Sequence, residues 1–101
     1  MKHLYLDTET RSRNNILNGS YLYAEDSEPL LVTYAIDEGP VQVWDVTMGK
    51  PMPADLRKAL NDESVTIVAW NASFDRTQIA MWVEAFPDQG WPFSAGTPWR
   101  W

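Results

Sequence analysis

The chain has 101 residues, a net charge of −6 and no cysteine. Its length allows one small domain, and the lack of cysteine excludes disulfides and thiolate metal sites, in keeping with a cytoplasmic location. The acidic balance argues against a protein that coats nucleic acid, although carboxylate sites for metal ions are themselves acidic. Because the sequence has no apolar run of membrane-spanning length and no secretory signal at its start, no membrane partner is expected.

The first half of the chain predicts three strands. Residues 3–6, HLYL, form an apolar strand that leads to Asp7. The runs at 30–36 and 41–46 are rich in strand-forming residues and are separated by the turn sequence DEGP. This pattern predicts an antiparallel hairpin. The polar segment 11–29 is predicted to be a loop with a short helical turn.

The second half predicts two helices around one strand. Pro53 suits the first turn of a short helix over 53–60, and residues 65–70 form an apolar strand. A longer helix runs from about residue 72 to 85 and ends before Pro87. This order of elements predicts an α/β domain with a mixed sheet.

Two acidic side chains, Asp7 and Glu9, follow the first strand. Because side chains alternate along a strand, both point to the same side if the extended conformation continues. Paired carboxylates favour a hard divalent cation such as Mg²⁺ or Mn²⁺. The spacing alone is not specific, since a second Asp-x-Glu occurs at Asp26 and Glu28. An ordinary strand end therefore stays open as an alternative.

A third acid, Asp75, lies in the sequence WNASFDR directly after the strand at 65–70. The first turn of a helix stabilises a carboxylate there, and Asp75 precedes Ile79 by one turn on the face that packs against the sheet. The residues alone leave two interpretations. Asp75 belongs to a site near the strand ends, or it only balances the helix dipole while Asn71 or Ser73 caps the helix.

The order of these segments resembles the DEDD 3′–5′ exonucleases, and in particular the N-terminal exonuclease domain of bacteriophage-type family A DNA polymerases. Four blocks carry the resemblance over about residues 3–86: LYLDTETRS, GSYLYAED, PLLVTYAIDEGPVQVWDVT and VTIVAWNASFDRTQI. The resemblance implies an incomplete ribonuclease-H-like fold, with a mixed sheet flanked by helices, and a location in the cytoplasm of a bacterial host cell.

The resemblance also implies which residues act. Asp7 and Glu9 match the first exonuclease motif and Asp75 matches the acid of the second, so these three would be catalytic and bind Mg²⁺ or Mn²⁺. Three further positions match residues that flank the motifs and approach the substrate: Thr8, Thr10 and Asn71. The implied partner is the 3′ end of single-stranded DNA.

The third motif of the family, which carries a fourth carboxylate and a Tyr or His that positions water, finds no match. The last Tyr is Tyr34, the one His is His3, and the acids after Asp75 are Glu84 and Asp88. The sequence therefore predicts weak exonuclease activity or none. The alternative is a non-catalytic module with a protein partner, such as an inhibitor of a host nuclease or defence complex.

Residues 1–87 are predicted to form the exonuclease-like domain, followed by a tail at 88–101. The tail is rich in Trp, Pro and Gly and has no sustained period. We expect the chain to end before the last strand of the family. This composition is typical of a truncation or frame change followed by unselected residues. The alternative is that Trp99 and Trp101 cover the sheet edge or form a binding surface.

Overall fold

A computed structural model describes residues 1–12, 27–69, 72–92 and 98–100. The described residues form five strands and two helices, in this order: β1 His3–Ser12, β2 Ser27–Ile36, β3 Gln42–Asp45, α1 Ala54–Asn61, β4 Thr66–Ala69, α2 Ala72–Ala85 and β5 Trp99–Arg100. The predicted α/β class is confirmed. In this part of the chain, no helix is long and apolar enough to cross a membrane.

The five strands form one mixed sheet in the order β3-β2-β1-β4-β5. β2 is antiparallel to both β1 and β3, whereas β4 is parallel to β1 and β5 is parallel to β4. This arrangement is compatible with part of a ribonuclease-H-like fold. β1 is the central strand, and its Leu6 pairs with Tyr34 on one side and Ala69 on the other.

Both helices cover the same face of the sheet. Alternate residues of β1, Leu4 and Leu6, are buried there, and each such apolar side chain stabilises the fold by about 1.5–3 kcal/mol. Strands and helices contribute to one core, which includes Leu4, Leu6, Val32, Leu56, Leu60, Ile67, Ile79 and Trp82. The opposite face carries exposed apolar side chains, among them Tyr5 and Val41.

The helix α2 confirms the predicted span and shows an unusual buried face. Its buried residues recur at helical spacing and include two apolar and two polar side chains: Asp75, Gln78, Ile79 and Trp82. The Trp82 ring is fully buried, and its Nε1 donates hydrogen bonds to the backbone oxygen and the hydroxyl of Ser27. Buried polar groups need hydrogen-bond partners, so the partners of Asp75 and Gln78 on the buried face of α2 have to be identified.

The strand boundaries differ from the sequence prediction around the predicted loop. β1 continues to Ser12 rather than ending at Leu6, because its pairing with β2 continues. β2 begins at Ser27, inside the predicted loop 11–29. The prediction failed here because these strand ends are polar, and the partner strand is not visible in a local pattern. The rest of that loop, 13–26, lies outside the described residues.

The predicted hairpin and short helix are confirmed with small shifts. β3 ends at Asp45, where the side chain accepts a hydrogen bond from the backbone of Thr47 and starts a 3₁₀ turn. Pro53 directly precedes α1, whose first residue is Ala54. Proline is favoured at this boundary because it has no backbone N–H to satisfy.

Part of the predicted tail packs against the rest of the fold. Trp91 is buried, and its ring centroid lies 5.4 Å from that of Trp44 and 4.9 Å from that of Trp82. Trp99–Arg100 form β5 beside β4, so the described residues include a fifth strand where we expected none. Trp101 lies outside the described residues.

Candidate metal site at the end of strand β4

The candidate site lies where β4 stops and α2 starts. Leu6 pairs with Ala69, the last residue of β4, so Asp7 and Thr8 are the first residues of β1 beyond that pairing. α2 follows shortly in the chain, and Asp75 occupies its first turn. The end of a parallel strand therefore brings the predicted residues of two distant segments to one edge of the sheet.

A hydrogen bond from a residue of β1 fixes the side chain of Asp75. Thr8 Oγ1 donates to Asp75 Oδ1 at 2.8 Å, and Asp75 is 6% exposed. Thr8 lies on the helix-covered side of β1, as Leu4 and Leu6 do at alternate positions. The strand hydroxyl thus provides a partner for a carboxylate that faces the sheet. The burial of Asp75 disfavours the alternative of a solvated acid that only balances the helix dipole.

Asp7 and Glu9 are exposed and lie on the side of β1 opposite to Thr8, as the alternation of the strand predicts. The charge of Asp7 nevertheless acts on Asp75. Burial raises the pKa of Asp75 to about 6, the negative charge of Asp7 raises it as well, and the hydrogen bond from Thr8 opposes both.

The donor chemistry of the site fits a hard divalent cation. Asp75 presents a buried carboxylate and Asp7 an exposed one on the other side of β1, and carboxylate oxygens are ligands that Mg²⁺ and Mn²⁺ prefer. Within the described ranges, no three His, Cys, Asp or Glu side chains are close enough to form a metal-binding group. The structure therefore brings Thr8 and Asp75 together, whereas Asp7 and Glu9 lie on the other side of β1. Within the described residues these acids do not form a group of three with Asp75.

Three residues were predicted to approach the substrate, and the structure describes two of them, Thr8 and Thr10. Thr8 uses its hydroxyl on Asp75, a contact that the sequence did not reveal. Thr10 is half-buried and follows a register shift in the pairing of β1 with β2. Asn71 lies outside the described residues, so its role stays a prediction.

Sequence reasoning missed Gln78, which lies on the buried face of α2. Its side chain is fully buried, and neither Nε2 nor Oε1 has a hydrogen-bond partner among the residues that the structure describes. The signal that could have found it is its position three residues after Asp75 and next to Ile79, on a face where apolar residues are expected.

No family model matches the chain, and comparison with curated proteins finds a phage protein that is similar to it. The chain is 42% identical over 83 residues to a DNA polymerase of Bacillus phage SP02. The alignment covers 79% of this chain but 13% of that polymerase, so the chain spans a small part of the length of its relative. The chain is thus related in sequence to a phage DNA polymerase.

Proposed function

We propose that the chain carries part of a two-metal 3′–5′ exonuclease site that acts on the 3′ end of single-stranded DNA. The observation that carries the proposal is the position of Asp75, a buried carboxylate in the first turn of α2 that is also subject to the negative charge of Asp7. A buried carboxylate with a like-charged neighbour is unfavourable unless a proton or a cation compensates its charge. The similarity to a phage DNA polymerase supports the same assignment.

In the proposed site, the carboxylates bind the metal ion and Thr8 positions one of them. On the resemblance, Asp7, Glu9 and Asp75 would hold Mg²⁺ or Mn²⁺. Asp7 and Glu9 share the exposed side of β1, so they would have to approach the cation from the strand end that Asp75 faces. Such an ion, when bound, activates a water molecule and stabilises the charge on the leaving oxygen. Thr8 occupies one of the lone-pair positions of the Asp75 carboxylate and leaves the others for a ligand.

We expect the exonuclease activity to be weak. Glu84 and Asp88, the acids that follow Asp75 in the sequence, are both exposed. Neither forms a three-residue metal group with Asp7 and Asp75 within the described part of the chain. With the fourth carboxylate unmatched, charge neutralisation and positioning are incomplete, and such losses reduce the rate by orders of magnitude.

Calorimetric titration with Mn²⁺ tests the proposed site. We expect Asp75→Asn to weaken Mn²⁺ binding by about tenfold or more, because the substitution removes a ligand charge. Asp55→Asn is the matched control, since Asp55 also accepts a hydrogen bond from a hydroxyl but lies on α1. An Mn²⁺ affinity that is the same in Asp75→Asn and in the wild type would contradict the proposal.

A nuclease assay on the same proteins tests the reaction. Single-stranded DNA labelled at its 5′ end is incubated with Mn²⁺ and either wild-type protein or Asp7→Ala. We expect slow shortening from the 3′ end by the wild type and none by Asp7→Ala, because the variant lacks a metal ligand. Shortening that persists in Asp7→Ala would show that the activity does not come from this site.

A protein-binding role is the second candidate function, and exposed apolar side chains on the sheet face opposite to the core favour it. Tyr5 and Val41 line one shallow depression there and are 44% and 71% exposed. Apolar side chains exposed together are typical of surfaces that bind other proteins. The partner would be a host protein, such as a nuclease or a defence complex. A wild-type chain that binds no Mn²⁺ and degrades no DNA would favour this role.

A further inference from the structure

The amide of Gln78 is a buried polar group that the fold leaves without a partner. Its side chain is 0% exposed, and neither amide atom is hydrogen-bonded within the described residues. Most buried polar groups in native proteins have partners, so an exception requires an explanation. Leucine or methionine would satisfy a purely structural core at this position better than glutamine.

The helix places Gln78 beside Asp75. Residues three positions apart lie on the same face of a helix, and both side chains belong to the buried face of α2. Asp75 at one end of this face is bonded to Thr8, and Trp82 at the other end donates to Ser27 Oγ at 3.0 Å. Gln78 lies between these two anchored residues and has no bond of its own in this part of the chain.

We propose that Gln78 is a positioning residue for Asp75, and that its Nε2–H donates a hydrogen bond to the Asp75 carboxylate when a divalent cation is bound. This inference rests on the metal site proposed above. A carboxylate offers about four lone-pair positions, so it accepts from Thr8 and from an amide while it binds a metal ion. Carboxylates that bind metals are generally held by such hydrogen bonds.

An uncharged donor suits this position. A lysine or arginine at position 78 would repel the cation, and a glutamate would add a buried negative charge next to Asp75. An amide donates a hydrogen bond without changing the charge of the site. Among the described residues, Thr8 is the one side chain that donates to Asp75, so the carboxylate has capacity for a second donor.

The substitution Gln78→Met tests the inference, because methionine has a similar length but no N–H donor. We expect the melting temperature of the metal-free protein to rise, since two unpartnered polar atoms leave the core. We expect the Mn²⁺ affinity, measured by calorimetry, to fall by about tenfold. A merely structural role would change the melting temperature without changing the Mn²⁺ affinity.

Ile79→Val is the matched control on the same helix face. Ile79 is also buried but carries no polar group, so we expect a lower melting temperature and an unchanged Mn²⁺ affinity. If Gln78→Met does not fold, Gln78→Leu permits the same measurements. Failure of both variants to fold would contradict the inference, which predicts a more stable metal-free protein.

The result with Asp75→Asn separates this inference from the proposed function. If Asp75→Asn weakens Mn²⁺ binding and Gln78→Met leaves it unchanged, the role of Gln78 is overturned and the metal site stands. If Asp75→Asn leaves Mn²⁺ binding unchanged, both proposals are overturned.

Discussion

Two regions of the molecule, the α1 corner between the sheet and α1 and the α2 corner between the sheet and α2, contain the same kinds of polar side chain. They differ in how many of these side chains are hydrogen-bonded. The corner between the sheet and α1 contains a hydroxyl, a carboxylate and an amide, all hydrogen-bonded: Tyr34, Asp55 and Gln42. Tyr34 donates to Asp55 Oδ1 at 2.8 Å, and Gln42 Nε2 donates to Asp55 Oδ2 at 3.1 Å. This complete network joins β2, β3 and α1 and therefore serves the stability of the fold.

The corner between the sheet and α2 repeats these three groups with one bond missing. Thr8 donates to Asp75 Oδ1 at 2.8 Å, the same distance as in the α1 corner. The amide of Gln78, however, has no partner among the described residues. The two corners therefore differ in the number of side chains that donate to the carboxylate: Tyr34 and Gln42 donate to Asp55, whereas Thr8 donates to Asp75.

The pKa values of the two carboxylates move in opposite directions. Partial burial opposes the ionisation of Asp55, but hydrogen bonds from donors that include Tyr34 and Gln42 outweigh it and lower the pKa of Asp55. Burial raises the pKa of Asp75 to about 6, because the hydroxyl of Thr8 does not compensate for it and Asp7 adds a like charge. A charged Asp75 thus destabilises the metal-free fold, whereas a charged Asp55 stabilises it.

The largest predicted effect is on the free energy of unfolding, which Asp75→Asn and Asp55→Asn should change in opposite directions. At pH 7 without metal, we expect Asp75→Asn to raise the free energy of unfolding by up to about 3 kcal/mol, because a neutral amide avoids the charge that burial penalises. We expect Asp55→Asn to lower it by about 1 kcal/mol, since its donors lose a charged acceptor. Urea unfolding in EDTA measures both. A loss of stability in both variants would refute the contrast between the corners.

The pH dependence of stability gives the next prediction. The pKa of Asp75 is raised from 3.8 to about 6, so its stabilising contribution is complete below pH 3.8 and is lost as the pH rises through 6. Between pH 4 and pH 7, the metal-free wild type should lose about 2 kcal/mol relative to Asp75→Asn. The pKa of Asp55 is lowered, so Asp55 loses its contribution below this window. Parallel stability curves for the two proteins between pH 4 and pH 7 would contradict the raised pKa.

The sequence predicted those parts of the site that depend on short segments. The alternation of one strand placed Asp7 and Glu9 on the same side of β1, and the helix pattern placed Asp75 in the first turn of α2. Their assignment as metal ligands came from the family resemblance and stays a prediction. The α/β class followed from the order of the elements. Each of these inferences uses a local period, and a local period can be read without the rest of the fold.

The sequence did not predict the contacts that join distant segments. Thr8 and Asp75 are 67 positions apart, so no local pattern shows that one hydroxyl holds the other side chain. The packing of Trp91 against Trp44 joins a predicted tail to the core in the same way. Gln78 was missed because a polar residue on an otherwise apolar helix face carries meaning only once the face is known to be buried.

The smallest predicted effect compares the amides of the two corners through the same substitution. Gln42 is exposed and loses one hydrogen bond to Asp55 in Gln42→Met, so we expect the free energy of unfolding to fall by about 0.5–1 kcal/mol. The Mn²⁺ affinity should not change, because α1 is not part of the site.

Gln78→Met should instead raise the free energy of unfolding, because the Gln78 amide has no hydrogen bond to lose within the described part of the chain. Urea unfolding of the two methionine variants beside the wild type measures this difference directly. If both variants are destabilised to the same extent, the Gln78 amide is paired in solution as fully as that of Gln42, and the α2 corner has no unmet hydrogen bond to offer a metal-bound carboxylate. A gain in Gln78→Met alone would mean that glutamine is kept at this position against the stability of the metal-free fold, as a residue that serves a bound ion requires.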